Sequence, residues 1–373
     1  MKSHPAHIVR TWQLIFVVTG FLTVLLLTTC QIEPDNLIAT AVPTIAVVPT
    51  STTETATTTE PQAELAQTLQ NILDQAVIDG ASGAVLLVDA PDLDFAWKSA
   101  AGQSMAADEP FLMAGGVEMV TAVTLLKLCE QSQLNLEDPI SLYLPADLVN
   151  RLLVVNGKSL GETITIHQLL NHTSGLGDFA ADGIAPGPPV GKPGETFHHS
   201  RANIWLAGLI IEKVSGLPLP DAYRQFIFEP LGMAHTYFAL DKEAGWQKGR
   251  LVSTLEDQNR FLRTWANDEL FDNPACQGIM SNWIQTDDAG RYYGLGMQRF
   301  ILDEWDFPGL GQLIGYGGQF NSLAFYWPEQ NVTIIGTLNS NEPPFGFASM
   351  MLDVMLAIQE YANKRFIMED GRC

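Results

Sequence analysis

The sequence has few positively charged residues. Lys and Arg total 20 against 42 Asp and Glu in 373 residues, which gives a formal net charge of −22. A chain this acidic is repelled by the phosphates of nucleic acids and by anionic lipid surfaces. A nucleic-acid partner is therefore excluded, and a solvated acidic surface is the simplest interpretation. Glycine-rich phosphate-binding loops are also absent from the sequence, which argues against a nucleotide cofactor.

Cysteine is scarce as well. Apart from Cys30, the chain holds only Cys129, Cys276 and Cys373. An odd number without metal-type spacing indicates neither a disulfide framework nor a zinc site built from cysteines. Cys129 lies among leucines, where a buried structural thiol is expected. The sequence thus predicts no metal and no cofactor.

The N-terminus indicates where the protein works. Lys2 and Arg10 precede an apolar run over residues 14–27, the layout of a secretory signal peptide. The segment Leu27-Thr-Thr-Cys30 resembles a bacterial lipobox, in which the cysteine is lipidated and becomes the new N-terminus. An uncleaved membrane anchor and simple secretion are the alternatives. We expect residues 1–30 to act as the signal and the mature protein to be extracytoplasmic.

A linker and one domain follow. Residues 31–62 are rich in threonine, interspersed with Pro43, Pro49 and Pro61. Such a segment cannot bury enough apolar surface to offset the entropy lost on ordering, so a disordered tether is predicted. Residues 63–373 are expected to form a single large domain, since 46% of the chain is apolar.

Apolar periodicity predicts an α+β fold for that domain. Residues 64–79 have the spacing of an amphipathic helix, and helical patterns dominate residues 111–270. Strands are predicted near both ends of the domain, followed by a terminal helix: residues 84–89, 95–97, 297–303, 320–327 and 332–338, then 347–362. This order implies one antiparallel sheet built from both chain ends and flanked by helices, with a helical insertion.

Short motifs in a fixed order carry the most specific information. In chain order they are Phe111-Leu-Met-Ala-Gly-Gly-Val-Glu118, Leu169-Leu-Asn-His-Thr-Ser-Gly-Leu176, Pro193-Gly-Glu-Thr-Phe197, Pro230-Leu-Gly-Met233, Tyr293-Gly-Leu-Gly296, Gly315-Tyr-Gly-Gly318 and Thr337-Leu-Asn339. Together they resemble the serine β-lactamase and penicillin-binding-protein superfamily, in particular its class C, esterase and D-peptidase branch. The resemblance covers roughly residues 64–363.

In that family, three motifs carry the acyl-enzyme chemistry. The first is Ser-x-x-Lys, in which the serine is acylated and the lysine helps to deprotonate it. The second is Tyr-x-Asn, and the third is Lys-Thr-Gly or His-x-Gly. The positions that match them here are Gly115 and Glu118, His199 and Arg201, and Tyr316 and Gly318.

All three motifs have therefore lost their characteristic side chains. The resemblance, with these replacements, implies a non-catalytic binding or regulatory module. Its oxyanion hole would consist of the backbone N–H groups of Gly115 and Gln319, which survive side-chain replacement. The expected ligand is a cell-wall peptide or a small acyl compound. The sequence does not indicate an oligomeric state.

Two other interpretations of Glu118 remain open. It could pair with Arg201 across a collapsed cleft. Alternatively, Glu118 and His199 could activate a water molecule in the space left by Gly115, which would give a hydrolase of esters, amides or D-amino-acid peptides without a covalent intermediate. His172 is interpreted as a hydrogen-bonding turn residue.

Overall fold

The computed structural model describes most of the predicted domain. The described residues are 37–38, 60–113, 115–152, 154–155, 158–159, 161–179, 187–241, 245–317, 322–339 and 345–369. Cys30, the predicted signal, most of the predicted linker, Gly318 and Gln319 lie outside these ranges. Among the described residues, no helix combines the length and apolar character needed to cross a bilayer.

The described residues form strands, α-helices and short 3₁₀ or π turns. The strands are β1 Leu37–Ile38, β2 Gly83–Ala90, β3 Phe95–Gly102, β4 Phe111–Leu112, β5 Val154–Val155, β6 Lys158–Ser159, β7 Tyr237–Asp241, β8 Gly245–Ser253, β9 Ile284–Gln285, β10 Arg291–Tyr293, β11 Gln298–Ile301, β12 Gln312–Gly317, β13 Ser322–Trp327 and β14 Val332–Asn339. The helices are α1 Glu60–Ile78, α2 Gly116–Glu130, α3 Ala146–Leu152, α4 Ile166–Leu170, α5 Arg201–Ser215, α6 Leu219–Tyr223, α7 Leu255–Ala266, α8 Pro274–Met280 and α9 Phe345–Glu369.

An eight-stranded antiparallel sheet forms the centre of the fold. Its strand order is β3-β2-β14-β13-β12-β11-β10-β9, so the first and last parts of the domain meet at the β2–β14 pair. The predicted α+β fold, with a sheet built from both chain ends, is confirmed. The strands β2 and β14 are buried over almost their whole length because both faces of the sheet are covered.

Each face of the sheet packs on its own core. Alternate residues of β2 divide between them: Leu86 and Val88 join the core under α1 and α9, whereas Val85 and Leu87 join the core that contains α2. Leu65, Leu69 and Leu73 of α1 are buried at i, i+4 spacing, as an amphipathic helix on a sheet requires.

The helical insertion contains more strand than the sequence predicted. The strands β7 and β8 pair with each other inside the region expected to be helical, and β4 extends them. The strand β1 lies within the predicted linker and pairs with β7. The helix α1 begins at Glu60, whereas the sequence pattern predicted a start at residue 64. Pro61 does not prevent the earlier start, since proline is tolerated in the first turn of a helix.

Truncation of Leu69 tests the core under α1. Leu69 is fully buried, whereas Ile78 on the same helix is 76% exposed. We expect Leu69→Ala to lower the free energy of unfolding by about 2–5 kcal/mol, because a cavity adds to the lost transfer energy. The control Ile78→Ala should stay within about 0.5 kcal/mol of the wild type. Urea unfolding followed by circular dichroism measures both, and equal losses would contradict this packing.

Candidate functional site

The first and third motif positions lie side by side. The helix α2 begins at Gly116, with Gly115 as its N-cap. A Cβ atom built on Gly115 would lie 3.3 Å from the Gly317 carbonyl oxygen and 3.5 Å from the Tyr316 Cβ. The N-terminus of α2 therefore faces the C-terminal end of β12, as the resemblance implies. Only a small local shift would admit a side chain at position 115.

Tyr316 does not line the site. Its ring is buried, and its hydroxyl donates a hydrogen bond to Oε1 of Gln258 at 3.2 Å. Burial also raises the pKa of the phenol. At the third motif, this chain thus presents a core side chain where the family has lysine or histidine.

The Glu118 carboxylate is the centre of the site. It is only 12% exposed and lies in the first turn of α2. The His199 Nε2 lies 2.9 Å from Glu118 Oε1, and the Tyr293 hydroxyl hydrogen-bonds to Glu118 Oε2. A carboxylate can only accept, so both neighbours donate. The His172 Nε2 lies 3.5 Å from Oε2. Four separate segments of the chain meet at this carboxylate.

His172 reaches the site from the end of α4. A capping box between Thr165 and Gln168 starts this short helix, and His172 follows it in the left-handed region at φ 57°. The imidazole is fully buried. Its Nδ1 faces the Ser200 backbone N–H at 3.2 Å and the Asn203 Nδ2 at 2.9 Å. Since an N–H needs an acceptor, Nδ1 is unprotonated in this arrangement and Nε2 carries the proton of the neutral ring.

His199 lies just before α5, whose N-cap is Ser200. The Ser200 hydroxyl donates to the Gly177 carbonyl at 3.0 Å, which fixes the chain at this point. The His199 side chain is 43% exposed. It is therefore the part of the cluster that a dissolved ligand could touch, in contrast to the buried Glu118 and His172.

Gly296 allows Tyr293 to reach Glu118. It has φ 70°, and a Cβ atom there would lie 2.4 Å from the Glu118 carbonyl oxygen. Only glycine permits this close approach between the turn after β10 and the backbone of α2. The Phe197 ring packs against Tyr293 at 5.4 Å between centroids and so helps to keep water away from the phenol.

Arg201 does not pair with Glu118. Its backbone N–H and its guanidinium both bind the Asp178 carboxylate, at 3.0 Å from Oδ1 and 3.0 Å from Oδ2 respectively. The pairing proposed from the sequence is therefore wrong. The physical reason is that Asp178 stands at the N-terminus of α5, where a carboxylate is favoured and lies next to Arg201.

The charges in the cluster are set by burial and by proximity. Burial by itself would raise the pKa of Glu118, but the nearby imidazoles of His199 and His172 hold it well below its ordinary value. Burial lowers the pKa of His172 to about 4, so this ring is neutral. Burial also opposes charge on His199, yet the adjacent Glu118 raises its pKa. The cluster thus contains one carboxylate, one imidazolium and one neutral imidazole.

Sequence reasoning placed Glu118 and His199 at the site but missed His172, Tyr293 and Asn203. The signal for two of them was present, because His172 and Tyr293 both lie in motifs that carry the family resemblance. The sequence interpretation made His172 a hydrogen-bonding turn residue and gave Tyr293 no role. Only the three-dimensional structure shows that both reach Glu118.

The same cluster contains donor atoms suited to a metal ion. In the described part of the chain, one donor atom each from Glu118, His172 and His199 lies within 4.8 Å of the others. The cysteine pattern could not indicate such a set, because no thiol takes part in it.

The comparison with protein families matches this architecture. The family model described as beta-lactamase matches residues 65–356, most of the chain. The chain belongs to the β-lactamase family. Protein flp of Staphylococcus aureus (strain MW2) is 34% identical over 146 residues, which are 34% of this chain and 27% of that protein. Esterase EstB of Burkholderia gladioli is 26% identical over 205 residues, 46% of this chain and 51% of the esterase. The matched parts thus span about a quarter and about half of these two relatives.

Solved structures of the same fold include two hydrolases. EstCE1, described as a hydrolase with promiscuous acyltransferase activity, has a TM-score of 0.68 at 18% identity and covers 80% of this chain and 99% of its own. The D-amino acid amidase from Ochrobactrum anthropi SV3, complexed with L-phenylalanine, has a TM-score of 0.65 at 21% identity with the same coverage. At these identities the likeness shows the fold. This β-lactamase-like domain therefore has an esterase among its sequence relatives and an amidase among its structural neighbours.

The pKa shifts predict that the loss of stability caused by Glu118→Gln depends on pH and has a maximum at intermediate pH. The low folded pKa of Glu118 stabilises the protein above the ordinary value of 4.5, and this contribution is lost as pH falls through the folded pKa. The raised pKa of His199 stabilises it below 6.5, and this contribution is lost as pH rises through the folded pKa. The destabilisation caused by Glu118→Gln, about 1–3 kcal/mol, should thus be largest between pH 4.5 and 6.5. Urea unfolding across pH, in the presence of a chelator, measures it. A loss independent of pH would contradict the ion pair.

Proposed function

We propose that this protein is a non-acylating member of its family, a binding or regulatory module held at the bacterial cell envelope. One observation carries the proposal: the position of the acylated serine is Gly115, beside β12, and offers no nucleophilic side chain. The changes at the other motif positions support it, since Glu118 replaces the lysine and His199 the tyrosine. These two replacements bind each other at 2.9 Å.

The ligand that best fits the remaining groups has a carboxylate or carbonyl. The N-terminus of α2 at Gly115 favours such an oxygen through its backbone N–H groups and the helix dipole. The half-exposed His199 adds a second donor. A cell-wall peptide or a small acyl compound has this chemistry, as do the esters and amides indicated by the names of the relatives.

Anchoring at the membrane belongs to the same proposal. The apolar run over residues 14–27 and the lipobox-like Leu27-Thr-Thr-Cys30 favour a lipoprotein, in which residues 31–62 would tether the domain. An uncleaved membrane anchor and direct secretion are the alternatives. In each case the domain acts outside the cytoplasm.

A second candidate is a hydrolase that activates water directly. The contact between His199 and Glu118, with an imidazole that is 43% exposed, favours it. The Tyr293 hydroxyl weighs against it, because this donor binds the same carboxylate and makes it a poorer base. We therefore place this activity second.

Intact-mass spectrometry tests the loss of acylation. The full-length protein is incubated with excess β-lactam and with an activated ester, beside an active esterase of the same family as a reagent control. We expect no covalent adduct on the natural protein. The variant Gly115→Ser with Glu118→Lys and His199→Tyr restores the serine and lysine of the first motif and the tyrosine of the second, and a small shift of the Gly317 carbonyl, 3.3 Å from the new Cβ, would admit the serine. An adduct on the natural protein would overturn the proposal.

Ester turnover distinguishes the second candidate. If Glu118 and His199 activate water, Glu118→Gln and His199→Ala should each lower turnover about 100-fold or more. His167→Ala, which removes the histidine of another His–Glu pair, is the matched control and should leave turnover unchanged. Turnover that both site variants retain, or no turnover at all, would exclude the water mechanism.

A further inference from the structure

We propose that Glu118, His172 and His199 form a binding site for a divalent transition-metal ion, best suited to Zn²⁺. The two imidazole Nε2 atoms lie 2.9 Å and 3.5 Å from the oxygens of one carboxylate, and one donor atom from each residue lies within 4.8 Å of the others. This goes beyond the proposed function, since metal binding does not depend on whether the protein forms an acyl-enzyme.

An unpartnered buried atom points independently to a ligand. His172 is fully buried, and within the part of the chain that the structure describes its Nε2 finds no hydrogen-bond partner, the Glu118 Oε2 lying 3.5 Å away. Buried polar atoms almost always have a partner, so each exception calls for a physical account. A metal ion between His172, His199 and Glu118 would supply the missing partner.

The donor set and its spacing select the ion. Two imidazole nitrogens and one carboxylate oxygen suit zinc and neighbouring transition metals, whereas calcium and magnesium prefer oxygen ligands throughout. Zinc bonds of about 2.0–2.1 Å in tetrahedral geometry separate neighbouring ligand atoms by roughly 3.3 Å. The separations of 2.9 Å and 3.5 Å, measured to the two different oxygens of Glu118, lie on either side of that value, and binding would draw together three donor atoms that now lie within 4.8 Å of one another.

A metal ion in this cluster would place positive charge where the family has the lysine of its first motif. Glu118 occupies the lysine position of the first motif, so the local charge is reversed relative to the family. An ion bound by Glu118 would return positive charge to the N-terminal turn of α2, next to the position of Gly115. Three protein ligands also leave a fourth position open, the arrangement of metal sites that accept an exogenous ligand.

Metal binding requires two proton changes, because a ligating imidazole nitrogen must be unprotonated: the Nε2 proton that His199 shares with Glu118 is released to solvent, and the ring proton of His172 moves to Nδ1. In this structure the Ser200 N–H and the Asn203 Nδ2 face His172 Nδ1, which places the ring proton on Nε2. If Nε2 binds the ion, the proton must be on Nδ1. Rotation of the Asn203 amide by half a turn would then present Oδ1 to that proton. Its NH₂ would face the Ser174 hydroxyl, which now donates to Oδ1 at 2.6 Å and can equally accept.

The rearrangement limits the affinity, because the Ser200 N–H loses its acceptor. It also identifies Asn203 as a positioning residue for His172. A carboxylate at this place would favour the proton on Nδ1 and thus the metal-binding form of the ring. Asn203→Asp should therefore tighten metal binding by roughly tenfold, whereas Asn203→Leu should weaken it about 10–100-fold.

Zinc titration of the full-length protein tests the site. Protein treated with a chelator is dialysed against Zn²⁺, and Co²⁺ is added in parallel because its visible absorption reports tetrahedral coordination. We expect one ion per chain. Glu118→Gln and His199→Ala should each lower affinity at least tenfold, while His167→Ala leaves it unchanged. Circular dichroism confirms that each variant is folded, and His199→Ala is the safest of them because this side chain is 43% exposed.

Two results would overturn the inference. One is the absence of stoichiometric Zn²⁺ and Co²⁺ binding by the natural protein. The other is binding that persists in both Glu118→Gln and His199→Ala, which would place the ion elsewhere. Neither readout involves catalysis. Failure of the metal proposal can therefore be distinguished from failure of the proposal that the protein forms no acyl-enzyme.

Discussion

The site depends on one constraint, a carboxylate buried in the first turn of α2 and hydrogen-bonded to Tyr293 of β10. An isolated buried charge is too costly to persist, so Glu118 needs donors from several directions. It gains them from His199 before α5 and from Tyr293 at the end of β10, with His172 after α4 close by. These residues are far apart in sequence, and α2 lies among all of them. The carboxylate thus fixes the relative positions of the elements that surround the cleft.

The family fold determines where the motif residues lie. At two of these positions this chain has side chains of different charge, Glu118 and His199. A lysine and a tyrosine would meet where Glu118 and His199 now meet at 2.9 Å. The positively charged partner therefore lies before α5, in His199, and not on the helix α2, where Glu118 carries the negative charge. The scaffold around it needs little change, because Ser200, Asn203 and His172 already form a hydrogen-bonded network that holds both segments.

The sequence predicted the fold well and the site only in part. The apolar strands β2 and β14 and the amphipathic helix α1 are visible in the sequence because their periodicity records burial. The strands β7 and β8 were missed, since their pairing with β4 is decided by distant contacts. Motif spacing located Glu118 and His199 correctly. It could not show that Arg201 would bind Asp178, or that Tyr293 would cross to Glu118, because both contacts depend on how the segments pack.

The state of the cluster argues against simple decay of a former active site. If side chains had changed without constraint, a buried charge would be left without a partner, and such charges are strongly destabilising. Here the Glu118 carboxylate is held by His199, and Tyr293 reaches it only because Gly296 permits the approach. The remaining exception, the His172 Nε2, faces the same carboxylate. A cluster with one unsatisfied atom aimed at a charged group is better explained by a ligand that completes it than by a collapsed cleft.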